Sequence, residues 1–195
     1  MRIEYMDYLP DSYRAPAARL YLSALRDKLG PVLGYGYRAQ MIIAEHIRTD
    51  NCIAAVSARE LIGILGIKAG KHGFFNPTIR VLCKKFGVIG GFFSILGLML
   101  LDHRTGAGEW HVDGVAVADH MRNRHIGTTL FNRLEIKARH HGIRRLSLGV
   151  INTNHRARIL YERLGYMNVR QDSIKPFNTI FRFNFDSASI MEKKM

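Results

Sequence analysis

A tyrosine, a histidine and an aspartate hold the most chemically informative positions of this 195-residue chain. Tyr161 stands in the stretch 154–166, NHRARILYERLGY, where Ala157, Leu160, Tyr161 and Leu164 fall on one helical face. Asn154 is the N-cap candidate of that helix and Gly165 its stop. Among apolar inward positions, Tyr161 brings a hydroxyl of ordinary pKa about 10 to a largely dry surface. Such a hydroxyl is usually structural, tied to backbone. His111 and Asp113 lie two apart in the strand-like stretch 110–118, and regular alternation puts them on the same face as Val115 and Val117. His111 has an ordinary pKa of about 6.5, the closest to neutrality of any side chain, and Asp113 is a carboxylate. The plainer reading of His111 is a strand histidine bonded to a neighbour.

An anion site is legible just downstream. In 115–134, VAVADHMRNRHIGTTLFNRL, a short strand stops and a helix begins near Gly127, with Arg122 and Arg124 between. Free N–H groups at a helix start carry partial positive charge, and with two arginines they make a cradle for phosphate. Gly127 lets backbone approach a ligand closely, and Thr128 and Thr129 offer hydroxyls. A solvated basic loop before an ordinary amphipathic helix is the alternative.

These residues need a sheet to hold them. The order of elements is a short strand at 2–8, a helix opened by Pro16 and closed by Gly30-Pro31, and a helix at 37–47. A hairpin of 51–58 with 60–68 follows, then a helix begun by Asn76-Pro77. Strand 110–118, helix 127–141, strand 145–150, helix 154–164 and strand 166–170 come next. The run 179–185 reads as an edge or closing strand and 187–195 as a frayed tail. The class this demands is α/β, a single domain over 1–186 around one central sheet.

Composition limits the rest. Apolar residues make up 47% of the chain, enough for a real core, and 29 Lys and Arg against 16 Asp and Glu give +13, which favours polyanionic ligands. Residues 119–170 alone hold eleven Arg and Lys against Asp119, Glu135 and Glu162. Aromatics are not interleaved with this basic run, so no nucleic acid is expected as partner. Cys52 and Cys83 are too few for a disulfide scaffold or a four-cysteine zinc site and read as small core residues; no metal is expected. With no apolar core of a signal peptide in 1–10, the reducing cytoplasm is the expected compartment. The run 86–101, FGVIGGFFSILGLMLL, has sixteen uncharged residues. As a helix it spans roughly 24 Å, short of a bilayer's hydrocarbon layer, so no transmembrane span is expected. A buried helix is the first reading and an interface or membrane-surface contact the second.

The two motifs together resemble the GNAT superfamily of acyl-CoA-dependent N-acetyltransferases. The family's phosphate-loop pattern, R/Q-x-x-G-x-G/A, is met by Arg122-Asn123-Arg124-His125-Ile126-Gly127, with His125 in place of the first glycine. The later pattern, N-x-x-A-x-x-L-Y-x-x-x-G-F/Y, is met by Asn154, Ala157, Leu160, Tyr161, Gly165 and Tyr166. The resemblance covers 110–170, the cofactor half, and residues 70–108 read as a helical insertion. It implies a mixed, mostly antiparallel sheet whose fourth and fifth strands splay, flanked by helices. Acetyl-CoA (coenzyme A) is the implied co-substrate, its pantetheine arm along Val115, Ala116 and Val117 and beside Asn154 and Ala157. Its pyrophosphate would lie on the loop of Arg122, Asn123, Arg124, His125, Ile126, Gly127 and Thr128. Tyr161 would protonate the leaving thiolate after a primary amine attacks, with His111 or Asp113 at positions where family members place a general base. If the position of His125 needs positive φ, histidine is strained there. The acceptor is unknown. A homodimer through 86–101 is one expectation; the rival function is a non-catalytic CoA-binding or basic membrane- or nucleic-acid-docking module.

Overall fold

The computed structural model describes residues 2–195. Strands β1 (Glu4–Met6), β2 (Cys52–Ser57), β3 (Glu60–Ala69), β4 (Glu109–Val117), β5 (Arg145–Ile151), β6 (Met167–Ser173) and β7 (Ser187–Lys194) form one sheet in the order β1-β2-β3-β4-β5-β7-β6. Neighbours are antiparallel except β4 and β5. That parallel pair is short: its register runs from Glu109↔Arg145 to Val112↔Leu148 and stops, although both strands continue. The expected mixed sheet with a splay between its fourth and fifth strands is therefore present.

Helices α1 (Arg14–Ala24), α2 (Arg26–Leu33), α3 (Tyr37–His46) and α4 (Ile79–Leu101) pack on one face of the sheet. Helices α5 (Ile126–His140) and α6 (His155–Arg163) pack on the other. β2 shows why a sequence alternating weakly can still be a central strand. Ala54 and Val56 join the first core, Ile53 and Ala55 the second, so every residue is apolar or small and buried.

Several expectations need correction. The first helix does not run from Pro16 to Gly30-Pro31. It starts at Arg14 and ends at Ala24, and a second helix continues through Pro31, sacrificing one intrahelical bond near its end, to Gly34. The stretch 179–185 is not a strand. Short helix α7 (Phe177–Phe181) ends at Arg182 in the left-handed region (φ 56°). Its alternation has another cause: the Phe181, Phe183 and Phe185 rings stack in sequence at 5.7 and 5.1 Å and are all buried in the first core. Finally, 187–195 is no tail. β7 lies between β5 and β6 and bonds both. Its polar ends are partnered, Lys193 Nζ donating to Glu135 Oε1 at 2.6 Å and to the Leu164 carbonyl at 2.8 Å.

The insertion is one helical stretch interrupted at Gly87, whose φ of 76° and ψ of 171° only glycine adopts without strain. Thr78, not Asn76, caps it, its Oγ1 accepting from Val81 N–H. The first reading of the apolar run as a buried helix also fails. Gly91, Ser94 and Gly97 are its buried residues, while Val88, Ile89, Phe92, Phe93, Leu96 and Met99 face outward.

Candidate active site at the splay of β4 and β5

Local irregularity in β4 sets the site. β3 and β4 pair regularly as far as Gly66↔Gly114, then slip so that Ile67 faces Val112, leaving Asp113 as an extra residue. Such a bulge re-aims the side chains around it. Val112, Val115 and Val117 pack toward α5 and α6, whereas His111 and Asp113 face the side of α1, α2 and α4. The expectation that all four share a face with regular alternation is thus overturned by one inserted residue. Gly114 allows α1 to close over this point, because a Cβ there would lie 2.6 Å from Leu25 Cδ1 and 3.0 Å from the Tyr21 ring.

Two cavities meet at Asp113. The gap between the splayed strands holds about 120 Å³, walled by Val115, Gly149, Asn154, Ala157, Leu160 and Tyr161 among others. A larger cavity of about 600 Å³ opens on the side of α2 and α4, with Lys68, His103 and His111 in its walls and Ile95, Leu98 and Met99 of α4 along it. Leu25, Lys28, Asp113, Gly149 and Ile151 line both and form the junction.

The electrostatics at the junction separate the two candidate bases. Burial lifts the Asp113 carboxyl to about 6, even though it accepts the Phe74 N–H at 2.7 Å and has Lys68 and Lys28 nearby. Burial pushes His111 well below its ordinary value, and His103, Lys28 and Lys68 add to the effect. His111 Nδ1 lies 2.9 Å from Ser147 Oγ, which itself donates to Glu109 Oε1 at 2.6 Å. Ser147 has one proton and gives it to Glu109, so His111 must donate from Nδ1, which leaves the Nε2 lone pair. His103 stacks on His111 with 4.2 Å between ring centres. Asp113 therefore titrates nearer neutrality than an ordinary carboxylate, and His111 is held in its neutral form. Lys28 donates to the Gly149 carbonyl at 3.0 Å, and burial lowers its ammonium to about 8.

Tyr161 is buried beside Phe131, ring centres 5.5 Å apart, and burial pushes its hydroxyl up to about 12. Among the described residues its hydroxyl makes no hydrogen bond, and it borders the strand gap, so no described backbone group is tied down by it. Asn154 caps α6, its Oδ1 accepting from Ala157 N–H at 3.1 Å, and also lines the gap.

The basic loop turns sharply into α5. Asn123 (φ 62°) and His125 (φ 58°) are both left-handed, and His125 is the N-cap of α5. The amides of Arg124, His125, Ile126, Gly127 and Thr128 donate to no acceptor among the described residues, an arrangement that suits an anion. Arg122 pairs with Asp119, and Asn123 Oδ1 accepts from Arg156 at 2.6 Å, while Arg124 has no ion-pair partner among the described residues. The Ile126 side chain is core, and Thr129 spends its hydroxyl on the His125 carbonyl, leaving Thr128 as the available hydroxyl. Ala116 packs into the first core rather than lining the gap; Val115 alone of 115–117 does so. Elsewhere the basic residues of α5 are structural, as Lys137 donates to the Asp7 and Asp50 carbonyls. Lys28, Gly149 and the Glu109–Ser147 pair were not foreseen. Nothing in their local sequence marks them, since each enters the site through a contact more than thirty residues away.

A sheet that opens between β4 and β5, an amide-lined turn and a tyrosine at the opening are features that agree with the sequence match. The chain matches the Acetyltransferase (GNAT) family over residues 13–166 and belongs to it. Solved structures share the fold along essentially the whole chain. One crystal structure of an acetyltransferase superposes with a TM-score of 0.63 at 19% identity, covering 100% of this chain and 99% of that one. The PaiA N-acetyltransferase from Thermoplasma acidophilum, in complex with coenzyme A, gives 0.58 at 14% identity and full coverage of both chains. The ribosomal-protein-S18-alanine N-acetyltransferase from Escherichia coli gives 0.57 at 13%, covering 99% and 94%. These likenesses are of fold. No curated protein matches the sequence.

Proposed function

We propose that this GNAT acetyltransferase moves an acetyl group from acetyl-CoA to a primary amine by direct attack. The observation that carries the reading is Asp113 standing where the two cavities join, with Tyr161 on the wall of the narrower one. The residues present suit coenzyme A. The strand gap leaves backbone groups of β4 and β5 without cross-strand partners, and buried groups of that kind need some partner. Val115, Asn154 and Ala157 would border the arm, and the free amides from Arg124 to Thr128, with the Arg124 guanidinium, would hold the pyrophosphate.

Acetyl-CoA supplies an activated thioester carbonyl. The acceptor amine enters from the larger cavity and must lose a proton before it can attack, because primary amines are charged at neutral pH. Lys28 and Lys68 line that cavity and disfavour a further cation there. Asp113, with its carboxyl near 6, takes the proton. The neutral His111, held by Ser147 and Glu109, offers Nε2 as an acceptor beside it. Tyr161 keeps its proton at any working pH and delivers it to the departing sulfur; the burial that raises its own pKa equally disfavours a thiolate there.

Release of free thiol from acetyl-CoA with a panel of primary amines tests the reading. Amine-dependent release that falls in Asp113→Asn supports it. No binding of coenzyme A at millimolar concentration by calorimetry would overturn it in favour of a docking module without acyl chemistry.

A further inference from the structure

Helix α4 is built inside out for a helix bathed in water. Beyond the break at Gly87, its fully buried residues are the small ones, Gly91, Ser94 and Gly97, with Ile95, Leu98, Leu100 and Leu101 half-buried against the first core beside them. Ser94 Oγ donates to the Val32 carbonyl at 2.8 Å, and Gly97 fits between Val32 and Phe181, where a Cβ would come within 2.8 to 3.0 Å of their side chains. A second set of large apolar residues points the other way: Ile89 is 88% exposed and Phe92 65%, with Val88, Leu96 and Met99 on the same stripe. In a water-facing helix the wide apolar face turns inward. Small residues at the closest helix contact together with a second, outward apolar stripe are the arrangement found where the surroundings are apolar.

The patch does not end with the helix. Phe93 lies 4.3 Å from Phe181 between ring centres, and α7 adds the exposed Phe177 and Ile180. Exposed apolar surface of this continuity marks an interaction site. Charge identifies what it meets. Residues 76–101 and 175–182 contain no Asp or Glu, but include Arg80, Lys84, Lys85, Lys175 and Arg182. Lys85 pairs with Glu45 and Lys175 with Asp186, while Arg80, Lys84 and Arg182 make no ion pair among the described residues. Asp102, just past α4, is engaged by Lys68.

We infer that α4 and α7 dock the protein on the surface of an anionic lipid bilayer. The straight segment 88–101 is 14 residues, roughly 21 Å, too short for the ~30 Å hydrocarbon layer and pinned to the core along one side. It lies in the interface plane, with Ile89, Phe92 and Met99 among the acyl chains and the cations toward headgroups. A second copy suits the face less well, since each would bring the same cationic flank and a net charge of +13. Met99, exposed on this face, also borders the larger cavity, so that cavity opens beside the bilayer.

Sedimentation with vesicles tests the inference independently of acetyl transfer. The full chain is mixed with vesicles of phosphatidylcholine alone or with a quarter phosphatidylglycerol. It should pellet with the anionic vesicles. The double variant Ile89→Glu, Phe92→Glu should lose about tenfold or more in partitioning, and Arg80→Gln, Lys84→Gln a smaller amount. Both variants alter exposed side chains and should bind acetyl-CoA as the parent does, which separates lost docking from lost folding. Three results would overturn the inference: parent that stays in the supernatant with anionic vesicles, equal partitioning of parent and the glutamate variant, or a parent dimer in solution that the glutamate variant splits.

Discussion

Lys28 Nζ on α2 reaches across the strand gap to the carbonyl oxygen of Gly149 on β5, 3.0 Å away and 121 residues distant in sequence. Gly149 is the first β5 residue past Leu148, where register with β4 ends. The lysine therefore sits where the two strands part, and its charge acts on Asp113 at the same junction.

That coupling is measurable. The Lys28 ammonium favours the ionised form of Asp113, holding its carboxyl lower than burial alone would. Lys28→Met should therefore move the acid limb of the kcat/KM profile to higher pH. A limb at unchanged pH would show that the two groups do not interact.

Asp113→Asn preserves an acceptor for the Phe74 amide but removes the base. Turnover should fall about 10²–10⁴-fold, and the acid limb of the parent, centred near pH 6, should disappear from the variant's profile.

The same substitution should stabilise the protein at neutral pH. The folded carboxyl titrates at about 6, above its ordinary 3.8. Its contribution to stability is thus fully present below pH 3.8 and lost as pH rises through 6. Above that pH the ionised group costs the parent about 1–3 kcal/mol, which Asn avoids. Thermal unfolding at pH 5 and 7.5 checks the sign: the variant's advantage should grow with pH.

Tyr161→Phe keeps the ring against Phe131 and removes only the proton donor. Turnover should drop about 10²-fold or more while coenzyme A affinity by calorimetry stays within about twofold. Unchanged turnover would remove the tyrosine from the chemistry.

His125→Gly relieves a left-handed residue at φ 58° whose side chain makes no cap bond to α5. A gain of about 1 kcal/mol in unfolding free energy is expected, read from denaturant titration. Coenzyme A binding should persist, because the donors of the loop are backbone amides.

Much of the site was legible because its determinants are local. The N-cap of Asn154, the helical spacing of Ala157 and Tyr161, and the helix start at Ile126 all depend on residues within one or two turns. The turn around Arg122 and Arg124 likewise follows from local residues, Arg122 pairing with Asp119 three positions away. The misreadings had the opposite origin. Phe181, Phe183 and Phe185 alternate as a strand does but stack as rings, and Ser187–Lys194 looks too polar for a strand although it is sandwiched by two others.

By itself the sequence determined the elements of the cofactor half, the turn that offers amides to an anion, and the family. Those follow from short-range sterics and hydrogen bonding, where identity and spacing suffice. Only the tertiary structure decided how Asp113 and His111 are surrounded and where the apolar helix faces. One slipped register at Asp113 turned its carboxylate and His111 away from Val115, and burial then raised the carboxyl and lowered the imidazole. Cross-strand register and desolvation depend on what the rest of the chain brings alongside, and no local pattern encodes that.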